Sequence, residues 1–449
     1  MIKKSVRLQN LWMLAASYVF YGWTDWKMVL LLVLATIVYY FLPKMKNRKV
    51  AMYLGVVLGI GMLVYFKYMN FFIEQFAALF NHLGMQSNLS TLNIIMPIGI
   101  SFFTFKLMSY VIEIYRENIE PEKDFIIFAS YIAFFPTIMS GPIDRPNALI
   151  PQFKEARSFH SGLIAEGSKR VLWGMFLKLC IADQLTPYTD SVFNHFYHHN
   201  ATTIILAAVL YSFQLYADFC GYSEMAIGTA QMMGIRVTEN FLRPFFSQNI
   251  AEFWRRWHIS LTTWITDYVF MPLNIAFRNY GKIGLYLATL LNLIVIGAWH
   301  GANWTFLLFG LFHGIMLVIV TACDKKRKKI EKKHGLKKKP LYKYSRMGLT
   351  FILCTLGFML FRSDSVNHFF AMLRRLNSGF GMFFMSWALT ALLPIVIMIF
   401  KEYKDENKME IKFLHSDKRW IQIVSFALLV VFVVYMGALN GGQFIYFQF

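Results

Sequence analysis

Charge is scarce in this sequence. Only 16% of its 449 residues are Asp, Glu, Lys or Arg, and 57% are hydrophobic. Ordinary globular chains are about 25% charged and about 45–50% apolar, so there is too little polar surface here to cover a water-soluble body. Cysteine is equally thin. Cys180, Cys220, Cys323 and Cys354 form no CxxC pair and no disulfide-like spacing, and in apolar surroundings each reads as a small hydrophobe that leaves the compartment open. Internal repeats, low-complexity linkers and a second domain are absent from the pattern, as are a P-loop, a GxSxG elbow and an HExxH string. The chain therefore reads as one membrane domain over residues 1–449.

The acidic sign is the scarcer of the two. Lys and Arg total 45 against 25 Asp and Glu, a net charge of +20, which in a soluble protein would suggest nucleic-acid binding. Its location argues otherwise. Residues 324–346 hold twelve basic and two acidic side chains, half of the net charge, between two apolar runs. A compact basic loop in that position is what the positive-inside bias predicts for a cytoplasmic connection, so no nucleic-acid partner is expected.

Long apolar runs are what the chain has in abundance. Crossing about 30 Å of hydrocarbon takes roughly 20 helical residues. Candidate spans are 11–21, 28–42, 50–66, 92–114, 125–140, 171–181, 201–219, 283–300, 304–323, 347–361, 385–400 and 421–439. Several are short or interrupted. The expected architecture is all-α and polytopic, with roughly ten to twelve transmembrane helices plus re-entrant or oblique segments around a polar centre. Residues 134–143, with Pro136, Gly141 and Pro142, are the best re-entrant candidate, because proline and glycine break any helix there. Lys3, Lys4 and Arg7, the basic stretch 44–49 and the Lys325 cluster all read as cytoplasmic. Two short crossings joined at 22–27 reconcile the first two of these. Because more apolar runs come at once after it, the N-terminal run reads as a signal anchor and not as a cleaved leader.

Polar residues at membrane depth are the functional candidates. His258 lies in EFWRRWHISL (252–261), and His300 ends the almost uncharged run 285–299 in GAWHGANW. A neutral imidazole suits a general base acting on a hydroxyl or water, although each residue alone is equally compatible with a hydrogen-bonded packing role. Gly297 and Gly301 read first as close-packing residues and the tryptophans as an aromatic belt. His195, His198 and His199 place two imidazoles on one helical face, but no further ligand occurs at suitable spacing. A zinc site needs three or four ligands, so no metal is expected. Asp218 comes after a long apolar run, and a partner is expected for it in Arg255, Arg256 or a histidine.

Several strings together resemble the membrane-bound O-acyltransferase family, and within it the bacterial branch that contains the alginate O-acetylation membrane proteins. They are MPIGISFFTF (96–105) with Tyr110 and Tyr115-Arg116, FFP (134–136) with SGP (140–142), residues 216–228, residues 249–272 with RRWHISL, residues 297–314, and the closing FIYFQF (444–449). Their order and spacing cover nearly the whole chain. The resemblance implies a ring of tilted helices with a thinned centre and a central tunnel, and acyl transfer from a cytoplasmic thioester to a hydroxyl on the outer side.

The family's general histidine falls on His300 and its second bacterial histidine on His258. The resemblance thereby implies His300 as general base, with His258 or nearby donors polarising the carbonyl or stabilising the oxyanion. Acetyl-CoA is the expected donor, with no cofactor bound. Expected surroundings are the lipid bilayer of the inner (plasma) membrane and a secreted or membrane-anchored SGNH-type acetyltransferase partner. D-alanyl transfer to teichoic acid and peptidoglycan O-acetylation are the alternatives within the family, and a transporter without acyl-transfer chemistry is the alternative outside it. The family usually has one more apolar segment ahead of the stretch corresponding to 8–23, which leaves two expectations, a start codon placed late or a chain without that first helix.

Overall fold

The computed structural model describes residues 5–23, 25–85, 90–382, 388–409, 414, 416–439, 441 and 444–445. Lys3, Lys4 and the last four residues of FIYFQF lie outside the described residues. All regular structure among the described residues is helical. Among them, seven helical segments are long and apolar enough to cross a membrane: Trp26–Lys44, Arg48–His82, Ala201–Met232, Arg278–His300, Trp304–Lys333, Pro340–Arg362 and Arg419–Met436. The chain is an all-α, multi-pass membrane protein. Its internal contacts define two compact units, Met1–Ser168 with Ala226–Thr238, and Lys169–Met225 with Glu239–Phe449.

In the first unit the N-terminal apolar stretch divides where two short crossings require it. Val6–Gly22 ends, and Trp26–Phe41 begins on Asp25, whose carboxylate accepts from Lys27 N at 2.9 Å. Arg48–Leu63 packs on Ile100–Tyr115 through Gly59, where a Cβ would come within 2.6 Å of Met108. Small residues of this kind let membrane helices approach closely. The proline-rich stretch 134–143 forms one short turn, Phe135–Ile138, and is otherwise irregular. Its surroundings are protein. Lys106, fully buried, donates to Thr137 Oγ1 at 2.8 Å, and Asp144 Oδ1 accepts from Thr238 N and Oγ1 at 2.9 and 2.6 Å. Non-helical backbone at membrane depth needs this kind of enclosure.

The second unit carries Gly281–His300, Trp304–Lys333, Pro340–Arg362 and Arg419–Met436. Gly281–His300 turns at Gly301 and returns as Trp304–Lys333, capped by Asn303, whose side chain accepts from Thr305 N at 3.0 Å. The two helices touch backbone to backbone. A Cβ on Gly297 would overlap the Phe306 carbonyl, and one on Gly310 the Leu293 carbonyl.

The basic stretch 324–346 differs from the loop its composition suggests. Helix continues to Lys333, a single turn Leu336–Lys338 comes next, and Pro340–Arg362 starts two residues later. Lys, Arg and Glu are good helix formers, and both acidic side chains of the stretch are paired. Lys328 reaches Asp324 at 2.7 Å, and Glu331, 2% exposed, takes Arg346 at 2.9 Å and the Tyr342 hydroxyl at 3.0 Å.

Candidate active site

Both sequence-derived histidines belong to the second unit. His258 sits at a break between two short helices, Ile250–Arg256 and Ile259–Ile265. The first is capped by Asn249, whose side chain accepts from Glu252 N at 3.0 Å. It ends at Trp257, and His258 adopts a left-handed conformation, φ 44° and ψ 54°. That region is uncommon for non-glycine residues, though His is among those enriched there. The segment before it holds the break open. Leu242 N donates to the Arg256 carbonyl at 2.9 Å and Ile259 N to the Asn240 carbonyl at 3.0 Å. Arg256 is fixed by Glu252 at 2.7 Å and by Glu406 at 2.9 Å.

The His258 side chain is fully buried, as is Asn240. Its Nδ1 lies 3.1 Å from Asn240 Oδ1, which also accepts from Ser260 N at 3.2 Å and Ser260 Oγ at 2.9 Å. Asn240 Nδ2 in turn donates to Ser223 Oγ at 3.1 Å. Phe219 stands edge-on to the imidazole, with centroids 4.6 Å apart. His258 lies outside the seven candidate spans. Burial, reinforced by His300, pushes its pKa well below the ordinary imidazole value and keeps the ring neutral.

His300 is the last residue of Gly281–His300 and is 3% exposed. Phe361 and Phe309 enclose its ring at 5.1 and 6.1 Å. Trp299 links the two histidines. Its indole lies 5.1 Å from the His300 ring and 5.7 Å from the His258 ring. The structure thus brings together two residues 42 positions apart, in a water-poor aromatic enclosure where an imidazole can move a proton and electrostatic effects are strong.

The expected partners of Asp218 are corrected. Lys178, not Arg255, Arg256 or a histidine, meets Asp218 Oδ1 at 2.7 Å and Asp183 Oδ1 at 2.7 Å. Arg255 is exposed and Arg256 is taken up by Glu252 and Glu406. Ile445 N donates to the other Asp218 oxygen at 2.9 Å. Asp218 is therefore an ion-pair residue, and the residue after it, Phe219, is the one that touches His258. His195 and His198 are exposed, with His195 Nδ1 3.2 Å from the Ser191 carbonyl.

Two neighbours of the site escaped the sequence reading. Asn240 stands in a polar stretch with no diagnostic spacing. His313, fully buried on Trp304–Lys333, packs on Phe309 at 4.7 Å and Trp254 at 5.4 Å. Its signal was available, a histidine within the apolar run 304–323. Gly357 makes room for it, since a Cβ there would collide with His313 Nε2.

Comparison with known proteins gives this geometry its context. Residues 15–344, which include both histidines, match the family model of the membrane-bound O-acyltransferases. The chain is 37% identical over 372 residues to "Probable alginate O-acetylase AlgI" of Pseudomonas syringae pv. tomato, covering 80% of this chain and 68% of that one. It is 31% identical over 349 residues to a peptidoglycan O-acetyltransferase of Helicobacter pylori, covering 70% and 65%. With a teichoic acid D-alanyltransferase of Streptococcus thermophilus it shares 34% over 283 residues, covering 59% and 68%. With most of its length inside the family model and this level of identity to such relatives, the chain belongs to the membrane-bound O-acyltransferase family.

Proposed function

We propose that the protein transfers an acetyl group from a cytoplasmic thioester, acetyl-CoA, toward a hydroxyl destined for an extracellular or cell-wall polysaccharide, from a position in the inner membrane. The observation that carries this reading is the pair of buried imidazoles that both pack on Trp299. His300 acts as general base. The hydroxyl proton passes to it as the oxygen adds to the thioester carbonyl, and collapse of the adduct expels the thiolate, which takes that proton. His258 is the second histidine of the centre. The basic helical tip at 324–346 draws the anionic donor to the cytoplasmic face. Acceptance on the far side falls to a secreted or membrane-anchored SGNH-type partner. Family membership sets aside the transporter reading.

Similarity to the O-acetylases spans 80% of the chain, against 59% for the Streptococcus D-alanyltransferase, which favours acetyl over D-alanyl. The test is purified protein in vesicles with labelled acetyl-CoA, wild type against His300→Ala. Label should leave CoA only with the wild type. Transfer at the wild-type rate by His300→Ala would overturn the assignment, and label accepted only from a D-alanyl carrier would replace acetyl with D-alanyl.

A further inference from the structure

The contact between His258 and Asn240 carries chemical information beyond position. A backbone N–H can only donate, so Ser260 N, at 3.2 Å, identifies the atom it meets as the Asn240 oxygen. The other end of the amide agrees, because its nitrogen faces Ser223 Oγ at 3.1 Å. An amide oxygen only accepts. The 3.1 Å approach of His258 Nδ1 to that oxygen therefore requires the proton on Nδ1. In a neutral imidazole the lone pair is then on Nε2.

We infer that Asn240 is a positioning residue for acyl transfer, which holds His258 in the Nδ1–H tautomer so that the ring presents Nε2 to the centre as a hydrogen-bond acceptor. This rests on the proposed function and changes one part of the sequence expectation. A neutral His258 in this form cannot donate from Nε2 to a carbonyl or an oxyanion. The amide is well placed for the task. It is fully buried, and its own backbone carbonyl accepts from Ile259 N at 3.0 Å, so side chain and main chain of residue 240 together hold residues 258–260. An amide orients an imidazole without adding charge to a dry site, where a carboxylate would bring a desolvation cost. Phe219, Trp299 and Asn240 pack against the ring, and His300 acts on it as a titratable neighbour.

The test is nitrogen-15 spectroscopy of histidine-labelled protein in lipid vesicles, with the His258 signals assigned by their loss in His258→Gln. In the wild type Nδ1 should be protonated and Nε2 not. Asn240→Ala should abolish that preference, and acetyl-CoA turnover should fall at least about 100-fold. Asn240→Asp retains an acceptor, so it should keep the tautomer and move the acid limb of the rate profile up by about one pH unit. It also answers the question should the alanine variant fail to fold. A protonated Nε2 in the wild type, an unchanged tautomer in Asn240→Ala, or an unmoved acid limb in Asn240→Asp each overturns the inference while leaving the site itself standing. Full activity in His258→Ala would remove the second histidine from the proposed centre, and Asn240 would then have no catalytic group to position.

Discussion

Lys178 shows most clearly what a single residue contributes here. It holds two carboxylates, Asp183 and Asp218, in a region where all three side chains are at most 8% exposed. Removing one partner of a buried charge cluster costs about 3–5 kcal/mol, more than a neutral packing of the same volume would lose. Lys178→Met should therefore lower thermal stability sharply in detergent, and adding Asp183→Asn and Asp218→Asn should restore much of the loss. A neutral triple variant no more stable than Lys178→Met would contradict the ion-pair account. For the chemistry, His300→Gln should lower acetyl transfer about 10²–10⁴-fold with a nearly unchanged melting temperature. At this scale the sequence was informative about candidates that stand in a short string. RRWHISL and GAWHG exposed their histidines because ionisable groups stand out against apolar neighbours. Asn240 lies 18 residues from His258, and Lys178 lies 40 residues from Asp218, and no local spacing announces contacts that the tertiary fold creates.

Helix packing places His300, and glycine makes the packing possible. Gly297 and Gly310 bring the backbones of Gly281–His300 and Trp304–Lys333 into direct contact. Gly297→Ala or Gly310→Ala should push the hairpin apart, lowering melting temperature and transfer activity together. Gly348→Ala is the control, because a Cβ there meets no described atom within 4 Å, and replacing a helical glycine with alanine gains about 0.5–1 kcal/mol. An equal loss from Gly348→Ala would show that the effect is not one of packing. Hydropathy found the apolar middles of these helices and missed their ends. The run 304–323 is a helix to Lys333, because Lys328 paired with Asp324 and Arg327 paired with Glu331 extend the helix at no hydrophobic cost. By contrast, the break at 22–27 was legible, since two apolar runs flank a short polar gap and Asp25 caps the second.

For the molecule in its membrane, one cysteine offers a direct reading of orientation. Cys323 is exposed, while Cys180, Cys220 and Cys354 are buried. It stands at the head of the basic stretch, which the charge bias places in the cytoplasm. A membrane-impermeant maleimide should label Cys323 in inside-out vesicles and spare it in right-side-out ones, with Cys323→Ser as the blank. Labelling from the outer side would invert the topology. The all-α, multi-pass character of the chain was legible from its 57% hydrophobic content together with its long apolar runs. Lengths and pairings of the crossings were not, since short helices such as Ile250–Arg256 and Ile259–Ile265 carry mixed sequence that hydropathy cannot assign.

The helix Trp304–Lys333 runs unbroken for 30 residues. At ~1.5 Å per residue that is about 45 Å, against about 30 Å of hydrocarbon, so its cationic end stands clear of the lipid on the same rod that walls His300 with Phe309. A rigid rod has a phase. One alanine inserted after Ile319 would turn the lysines by about 100° and leave Phe309 and His313 where they are, whereas four would return the tip to within about 40° of its starting azimuth. The direction in which the charges point is thus adjustable independently of the site. A donor guided by those charges would register the rotation in its capture rate, while the chemistry at His300 would not.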